Sequence, residues 1–173
     1  LSSRPPRGLI YATGITKDVD AGTQARFDAG HASEASAREI AEDIIGDGLS
    51  PVCGTTDDGY LSASFDGLTF DGGIGFEHKL WNETLAQAVR DNDLPEQYKR
   101  QMDQQILVAG LDYVLFMVSD GTKDRCVTLE YRSTAARAKQ LLAAWKLFDA
   151  DLAAYVPPEV VQAVTATPKL GLP

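Results

Sequence analysis

The sequence predicts a single α/β domain, with a mixed central sheet flanked by helices. Its 173 residues, 44% of them hydrophobic and 24% charged, are enough to form one sizeable core. Along the chain, a segment of helical periodicity is followed by strand-like segments, then by helices, strands and a final helix. This order is typical of a mixed α/β domain. We expect a loop-rich N-terminal arm over residues 1–29, a folded domain over 30–156 and a C-terminal tail over 157–173.

The first helix is predicted to begin near Gly30. Residues 1–29 are rich in Gly, Pro, Ser and Thr and show no sustained period, which predicts loops. Beyond Gly30, Ala and Ile recur at spacings of three and four residues up to Ile45, and Gly46 provides a stop signal.

Three strands and two helices are expected next. Loops that carry Asp and Gly separate the short apolar segments of the strands. Asn82 is a good N-cap residue, and Pro95 suits the first turn of a helix. These signals predict strands over 52–55, 60–65 and 74–81, and helices over 82–90 and 95–109.

The last elements are a hairpin and a long helix. Residues 120–124, Asp-Gly-Thr-Lys-Asp, are a turn signal between strands predicted over 113–119 and 125–132. Ser133 or Thr134 can cap a helix that ends near Tyr155.

Composition excludes several classes of protein. The most apolar segment, 105–118, contains Asp112, so we expect no membrane-spanning segment. Two cysteines cannot build a disulfide-dense scaffold or a four-cysteine zinc or iron–sulfur site, and a reduced, cytoplasmic protein is expected. The net charge of −9 is concentrated before Ala86, which fits either a solvated acidic surface or a carboxylate-lined metal site.

A carboxylate and an amine share one face of the third predicted strand. Glu77 and Lys79 are two residues apart and have apolar neighbours, so they project together from a largely apolar strand. Asp66 is expected at the end of the preceding strand, and a hairpin would return Glu77 close to it. The alternative is an ordinary cross-strand ion pair.

Glu34 is a further acidic candidate. It shares a helix face with Ala37 and Ala41, although a half-exposed position near the helix start explains it equally well. Acidic residues without convergent His or Cys suit a hard cation such as Mg²⁺, with Mn²⁺ as the alternative. Phosphodiester hydrolysis is a natural use of such a site, with the lysine orienting water or offsetting negative charge.

Three ordered segments carry a family resemblance. The spacing of Asp66 and Glu77-His78-Lys79 resembles the core of the PD-(D/E)XK nuclease superfamily. More specifically, segments 30–42, 61–79 and 98–120 resemble the YqaJ and lambda exonuclease family of phage-type recombination nucleases. The resemblance covers roughly residues 30–132 and implies a restriction-endonuclease-like core.

The resemblance implies a role for each site residue. Metal ligands would be the side chains of Asp66 and Glu77 and the main-chain carbonyl of His78, with Lys79 as the catalytic lysine. Glu34 would complete the metal site, and Gln101 would lie beside it on the next helix. For Gln101, the alternative is a polar residue on a helix surface.

The family also implies substrate and partners. Its members degrade double-stranded DNA from the 5′ end with magnesium, often as ring-shaped trimers, and act with a single-strand annealing protein. Residues 1–29 do not align with the family's N-terminal segment, so a structure-selective endonuclease and a non-catalytic DNA-binding or scaffold domain stay open. Lys99 and Arg100 beside Gln101, and Lys123 and Arg125 at the hairpin, are candidate phosphate contacts, with ordinary solvation as the alternative.

Overall fold

A computed structural model describes residues 21–156, with side chains from Ser33 onward. In this part of the chain, a five-stranded mixed sheet is flanked by helices, which confirms the predicted fold class. The strands are β1 Leu49–Thr55, β2 Ser62–Thr69, β3 Ile74–Leu80, β4 Tyr113–Ser119 and β5 Cys126–Tyr131. The helices are α1 Ala21–Ile45, α2 Glu83–Arg90, α3 Glu96–Ala109 and α4 Ala135–Ala154, with a 3₁₀ turn at Lys123–Arg125.

The strands lie in sequence order across the sheet. All neighbouring pairs are antiparallel except β3 and β4, which are parallel. A parallel pair requires a long crossover, and α2 and α3 form it. The carboxyl ends of β3 and β4 therefore meet at one edge of the sheet.

The chain divides into two compact units. One comprises the whole sheet, α1, α2, α3 and the first part of α4, through Lys146. The end of α4, from Leu147, belongs to the other unit. The boundaries expected at residues 30 and 157 stay predictions, and residues 1–20 and the tail over 157–173 lie outside the described part.

Side chains alternate between two apolar clusters, one on each face of the sheet. β4, an internal strand between β3 and β5, is buried on both faces and contributes to both clusters. The α1 face includes Ala37, Ala41, Phe76, Leu115 and Met117, and the α3 face includes Phe65, Met102, Val114, Phe116 and Val118.

A β-bulge interrupts the pairing of β1 with β2. Ser50 pairs with Leu68 and Val52 with Phe65, so Asp66 and Gly67 together face Pro51 alone. Proline has no backbone N–H to donate, and it is tolerated at bulges and on edge strands such as β1. The extra residue is therefore accommodated where the ladder already lacks a donor.

The bulge changes which way the residues of β2 face. Phe65 packs in the α3-face cluster, whereas the backbone of Gly67 lies against Leu49 and Phe76 on the α1 face. In a regular strand, residues two apart point to the same face. Phe65 and Gly67 point to opposite faces, so the alternation of side chains shifts by one residue between them. Asp66 consequently follows Phe65 onto the α3 face.

Two predictions of local structure were wrong. Helix α1 begins at Ala21, not near Gly30, because residues 21–29 lack proline and contain several good helix formers. Strand β2 continues to Thr69, so Asp66 lies inside the strand and not at its end. The turn begins only where Asp71 accepts hydrogen bonds from the Thr69 hydroxyl and the Gly73 N–H. The remaining elements agree with the predicted ones to within a few residues at each end.

Asp103 connects α3 to the end of β5 and the start of α4. This buried carboxylate accepts hydrogen bonds from the Tyr131 hydroxyl at 2.8 Å and the Ser133 hydroxyl at 2.6 Å. The Arg137 Nε donates to it at 2.9 Å, and the same guanidinium pairs with Glu96. The position of α3 is thereby fixed relative to β5 and the start of α4.

No helix among residues 21–156 is both long enough and apolar enough to cross a membrane.

Gly67→Ala is expected to lower the free energy of unfolding by about 1–3 kcal/mol. The added Cβ would lie 3.0 Å from the Leu49 Cβ and 3.2 Å from the Phe76 Cβ, and neither atom can move without its backbone. The measurement is urea denaturation. Gly48→Ala is the control, because nothing lies within 4 Å of its added Cβ, and equal losses in both variants would contradict the packing argument.

Asp103→Ala should lower the free energy of unfolding by about 2–4 kcal/mol, since it strands three hydrogen-bond donors around a buried position. Glu96→Gln weakens the exposed half of the same network and should lower it by less than about 1 kcal/mol. Urea denaturation of both variants compares them. A larger loss for Glu96→Gln would show that the buried carboxylate is not the centre of the network.

Candidate active site

Asp66 and Glu77 face each other across β2 and β3. The register pairs Leu68 with Gly75 and Gly67 with Phe76, and its continuation places Asp66 opposite Glu77. The Asp66 Oδ2 accepts the backbone N–H of His78 at 2.8 Å. The predicted hairpin is therefore confirmed. Beside the bulge, the Asp66 carboxylate accepts the hydrogen bond from the His78 N–H of β3.

Glu77 is buried and held by three donors. Only 3% of its side chain is exposed, and its Oε1 accepts hydrogen bonds from the Lys79 Nζ and, at 2.7 Å, from the Gln101 Nε2. Its Oε2 accepts the Gln105 Nε2 at 2.6 Å. A buried carboxylate needs this many partners because its loss of hydration is otherwise uncompensated.

The charges of Lys79 and Asp66 shift the pKa of Glu77 in opposite directions. Burial raises the pKa of Glu77 above its ordinary value, the neighbouring Lys79 ammonium counteracts this rise, and the Asp66 charge adds to it. The two carboxylates are therefore close enough to interact electrostatically. A cation placed between them would relieve their mutual repulsion.

Lys79 lies between Glu77 and an open cavity. Its side chain is 27% exposed, and its Nζ lies 5.8 Å from the centre of the Tyr98 ring. The cavity, about 380 Å³ in volume, is lined by Lys79, Leu80, Asn82, Pro95 and Tyr98 together with neighbouring residues of α2 and α3. A small group that entered this cavity would reach the lysine directly.

His78 contributes its backbone, and its side chain points away. The imidazole stacks on Phe76, on the α1 face, with ring centres 6.4 Å apart, and its Nε2 lies 3.0 Å from the Ser119 Oγ. Burial lowers the pKa of this imidazole, which favours the neutral ring. The side chain is thus part of the packing, on the face opposite Glu77.

Glu34 is connected to the acidic pair through an arginine that the sequence did not single out. The Arg38 Nη2 donates to the Glu34 Oε1 at 2.8 Å, and its Nε donates to the main-chain carbonyl of Asp66 at 2.7 Å. Arg38 therefore joins α1 to the bulge. The spacing of four residues from Glu34 could have indicated their pairing, but nothing local indicates the bond to Asp66.

Gln105 was also missed as a site residue. It lies one helical turn after Gln101, so both amides face β3. Its Nε2 also donates to the Ser64 carbonyl at 2.9 Å, while no described residue donates a hydrogen bond to its buried Oε1. The repeat of glutamine at four-residue spacing was the available signal.

The oxygen donors suit a hard cation bound through few protein ligands. Asp66 and Glu77 are electrostatically coupled, and no described residue donates to the Asp66 Oδ1. Among the residues with described side chains, no three Asp, Glu, His or Cys groups converge as a metal cluster. Magnesium, however, often binds through one or two carboxylates and takes its other ligands from water and substrate phosphates. The two facing carboxylates fit that mode of binding.

Comparisons with known proteins give a structural likeness. No family model matches the chain, and no curated protein sequence matches it significantly. An alkaline exonuclease (LHK-Exo) from Laribacter hongkongensis superposes with a TM-score of 0.67 at 23% identity, over 83% of this chain and 74% of that one. Its complex with dAMP gives a TM-score of 0.68 at 22% identity, over the same shares. This likeness shows that the two chains share a fold.

Asp66→Asn should leave the free energy of unfolding unchanged or raise it by up to about 1 kcal/mol. The amide oxygen can still accept the His78 N–H, while a like charge beside Glu77 is removed. Asp66→Ala removes the acceptor and should lower the free energy by about 1–2 kcal/mol. Urea denaturation with a chelator present, so that no cation contributes, tests both; a large loss for Asp66→Asn would disprove the repulsion.

Proposed function

We propose that this protein is a metal-dependent deoxyribonuclease that degrades double-stranded DNA from its ends in the 5′ to 3′ direction. The observation that carries the proposal is the facing pair Asp66 and Glu77. Lys79 donates a hydrogen bond to Glu77 and lines the open cavity beside it. The shared fold with an alkaline exonuclease supports this activity, as does the family resemblance of the three sequence segments.

The ligands we propose for a magnesium ion are Asp66, Glu77 and the main-chain carbonyl of His78, with Glu34, which Arg38 connects to the Asp66 backbone, as a further candidate ligand. Manganese is the alternative ion. When bound, such an ion would offset charge on the scissile phosphate and lower the pKa of the attacking water. The bond between Asp66 and the His78 N–H would hold the two strands, and so the two carboxylates, in position.

Lys79 would act on the phosphate that undergoes cleavage. Its ammonium is a donor at the mouth of the cavity, where it can orient the water or offset the negative charge that develops on the phosphate oxygens. In hydrolysis, the water oxygen forms a bond to phosphorus, the bond from phosphorus to the leaving oxygen breaks, and one proton of the water passes through solvent to the leaving oxygen.

Gln101 and Gln105 would keep Glu77 oriented while Lys79 is engaged by substrate. Each amide donates to a different oxygen of Glu77, so the carboxylate stays fixed when the lysine shifts toward a phosphate. Gln101 would therefore act beside the reaction centre, through Glu77, and not as a nucleophile.

The proposal extends to assembly and setting. A net charge of −9 opposes association with DNA, and a ring-shaped homotrimer would gather the basic positions of the chain around a channel. From the resemblance of the three sequence segments to the YqaJ and lambda exonuclease family, we also propose that the protein is cytoplasmic. It would act in phage-type recombination with a single-strand annealing partner.

Lys79→Ala should reduce the rate of DNA cleavage by at least about 100-fold, because a preorganised donor is lost from the reacting phosphate. Lys139→Ala, which removes an exposed lysine from α4, should cleave like the unaltered protein. The measurement follows end-labelled linear duplex beside covalently closed circles, with magnesium and with chelator, after circular dichroism has established that both variants fold.

Loss of linear DNA alone, abolished by chelator, is the expected result. Cutting of both substrates would replace the exonuclease with an endonuclease on the same core. If the folded protein cut neither substrate, the proposed activity would be wrong and a DNA-binding or scaffold domain would be favoured.

A further inference from the structure

An arginine–tryptophan surface, formed by Trp81, Arg90 and Arg125, lies beyond the end of β3. The Arg90 Cζ is 5.6 Å from the centre of the Trp81 ring, and the Arg125 Cζ is 5.0 Å from it. Two guanidinium groups from distant parts of the chain thus converge on one indole, although cations repel one another. Such an arrangement concentrates positive charge around one ring and favours the approach of an anion.

The arginine–tryptophan surface is next to the candidate reaction centre. Trp81 follows Lys79 by two residues, which places their Cα atoms about 7 Å apart along an extended chain. Arg125 immediately precedes β5, at the same edge of the sheet as the carboxyl ends of β3 and β4. A nucleic-acid strand with one phosphate at Lys79 would therefore pass this edge within a few nucleotides.

Arg125 is the member of the surface with the most available donors. Its side chain is 57% exposed, and its nearest acidic partner is Asp120, at 3.9 Å. Thr122 donates its hydrogen bonds to the Asp120 Oδ1, while the Asp120 Oδ2 lies at this longer distance from Arg125, and no described residue accepts a hydrogen bond from the Arg125 guanidinium. Stacking occupies the face of a guanidinium and leaves its N–H edges directed outward, where they can hold a phosphate.

Arg90 is more strongly compensated. Its Nη1 lies 3.3 Å from Glu83 Oε1 and 3.5 Å from Gln87 Oε1, and Glu83 also accepts from the Trp81 indole N–H at 3.3 Å. Arg90 consequently supports the stack and contributes less free positive charge than Arg125.

We propose that the arginine–tryptophan surface binds the phosphodiester backbone of the DNA strand beside the cleavage centre, with Arg125 as the principal phosphate contact. The proposal rests on the proposed nuclease function. It gives a strongly acidic chain a local cationic contact at the place where DNA has to approach the paired carboxylates.

The test measures how the affinity for a duplex oligonucleotide depends on salt, with chelator present so that no strand is cut. Each lost phosphate contact reduces the slope of log affinity against log salt concentration by about 0.9. Arg125→Gln should show this reduction. The ratio of the affinity of the unaltered protein to that of the variant should therefore be about 3.5-fold smaller at 200 mM than at 50 mM salt. Arg125→Lys retains the charge and should retain the slope.

Arg132→Gln is the matched control. Arg132 is 58% exposed, stacks on Tyr113 at 4.7 Å and pairs with Glu130, but it lies at the other end of β4 from this edge. Its loss should leave the slope unchanged, so that a general reduction in positive charge can be distinguished from a specific contact.

The outcomes separate the two proposals. If Arg125→Gln has the slope of the unaltered protein while that protein cleaves DNA, the phosphate contact is wrong and the nuclease stands. A reduction shared by Arg132→Gln would also overturn the contact, because it would reflect net charge alone. If the unaltered protein neither binds nor cleaves duplex DNA, both proposals fail.

Discussion

The burial of one carboxylate beside another is the constraint on which the rest of this structure depends. Glu77 is almost fully removed from water and lies opposite Asp66, so both desolvation and like charge oppose its ionised form. Three donors stabilise it, and two of them come from α3. The placement of α3 against the sheet, and the network at Asp103 that fixes the same helix, are therefore part of what makes the acidic pair tolerable.

The bulge opposite Pro51 supplies the other half of this arrangement. Without the extra residue in β2, Phe65 and Gly67 would share a face, and Asp66 would lie on the opposite side of the sheet from Phe65. With it, Phe65 fills the core while the next side chain faces Glu77. Arg38 then binds the main-chain carbonyl of Asp66, so α1 holds the irregular backbone from the other face.

Local patterns in the sequence predicted much of the fold and part of the site. Strand alternation placed Glu77 and Lys79 on one face, and turn residues predicted the hairpin that returns Glu77 to Asp66. Helical spacing left Gln101 open between a surface position and the site, and only the family resemblance implied that it lies beside Glu77. The bulge could not be predicted, because it depends on which residue of β1 faces Asp66. The bond from Arg38 to the Asp66 carbonyl likewise depends on how α1 lies over the sheet.

The parallel pairing of β3 with β4 has a consequence for the order in which the acidic pair is assembled. Asp66 and Glu77 are brought together by a short hairpin, whereas Gln101 and Gln105 arrive only after the chain between β3 and β4 has closed a long loop. Local contacts form faster than contacts that require such closure. We therefore expect the hairpin to bring the two carboxylates together while Glu77 is still hydrated, and the burial of Glu77 to coincide with the docking of its amide donors.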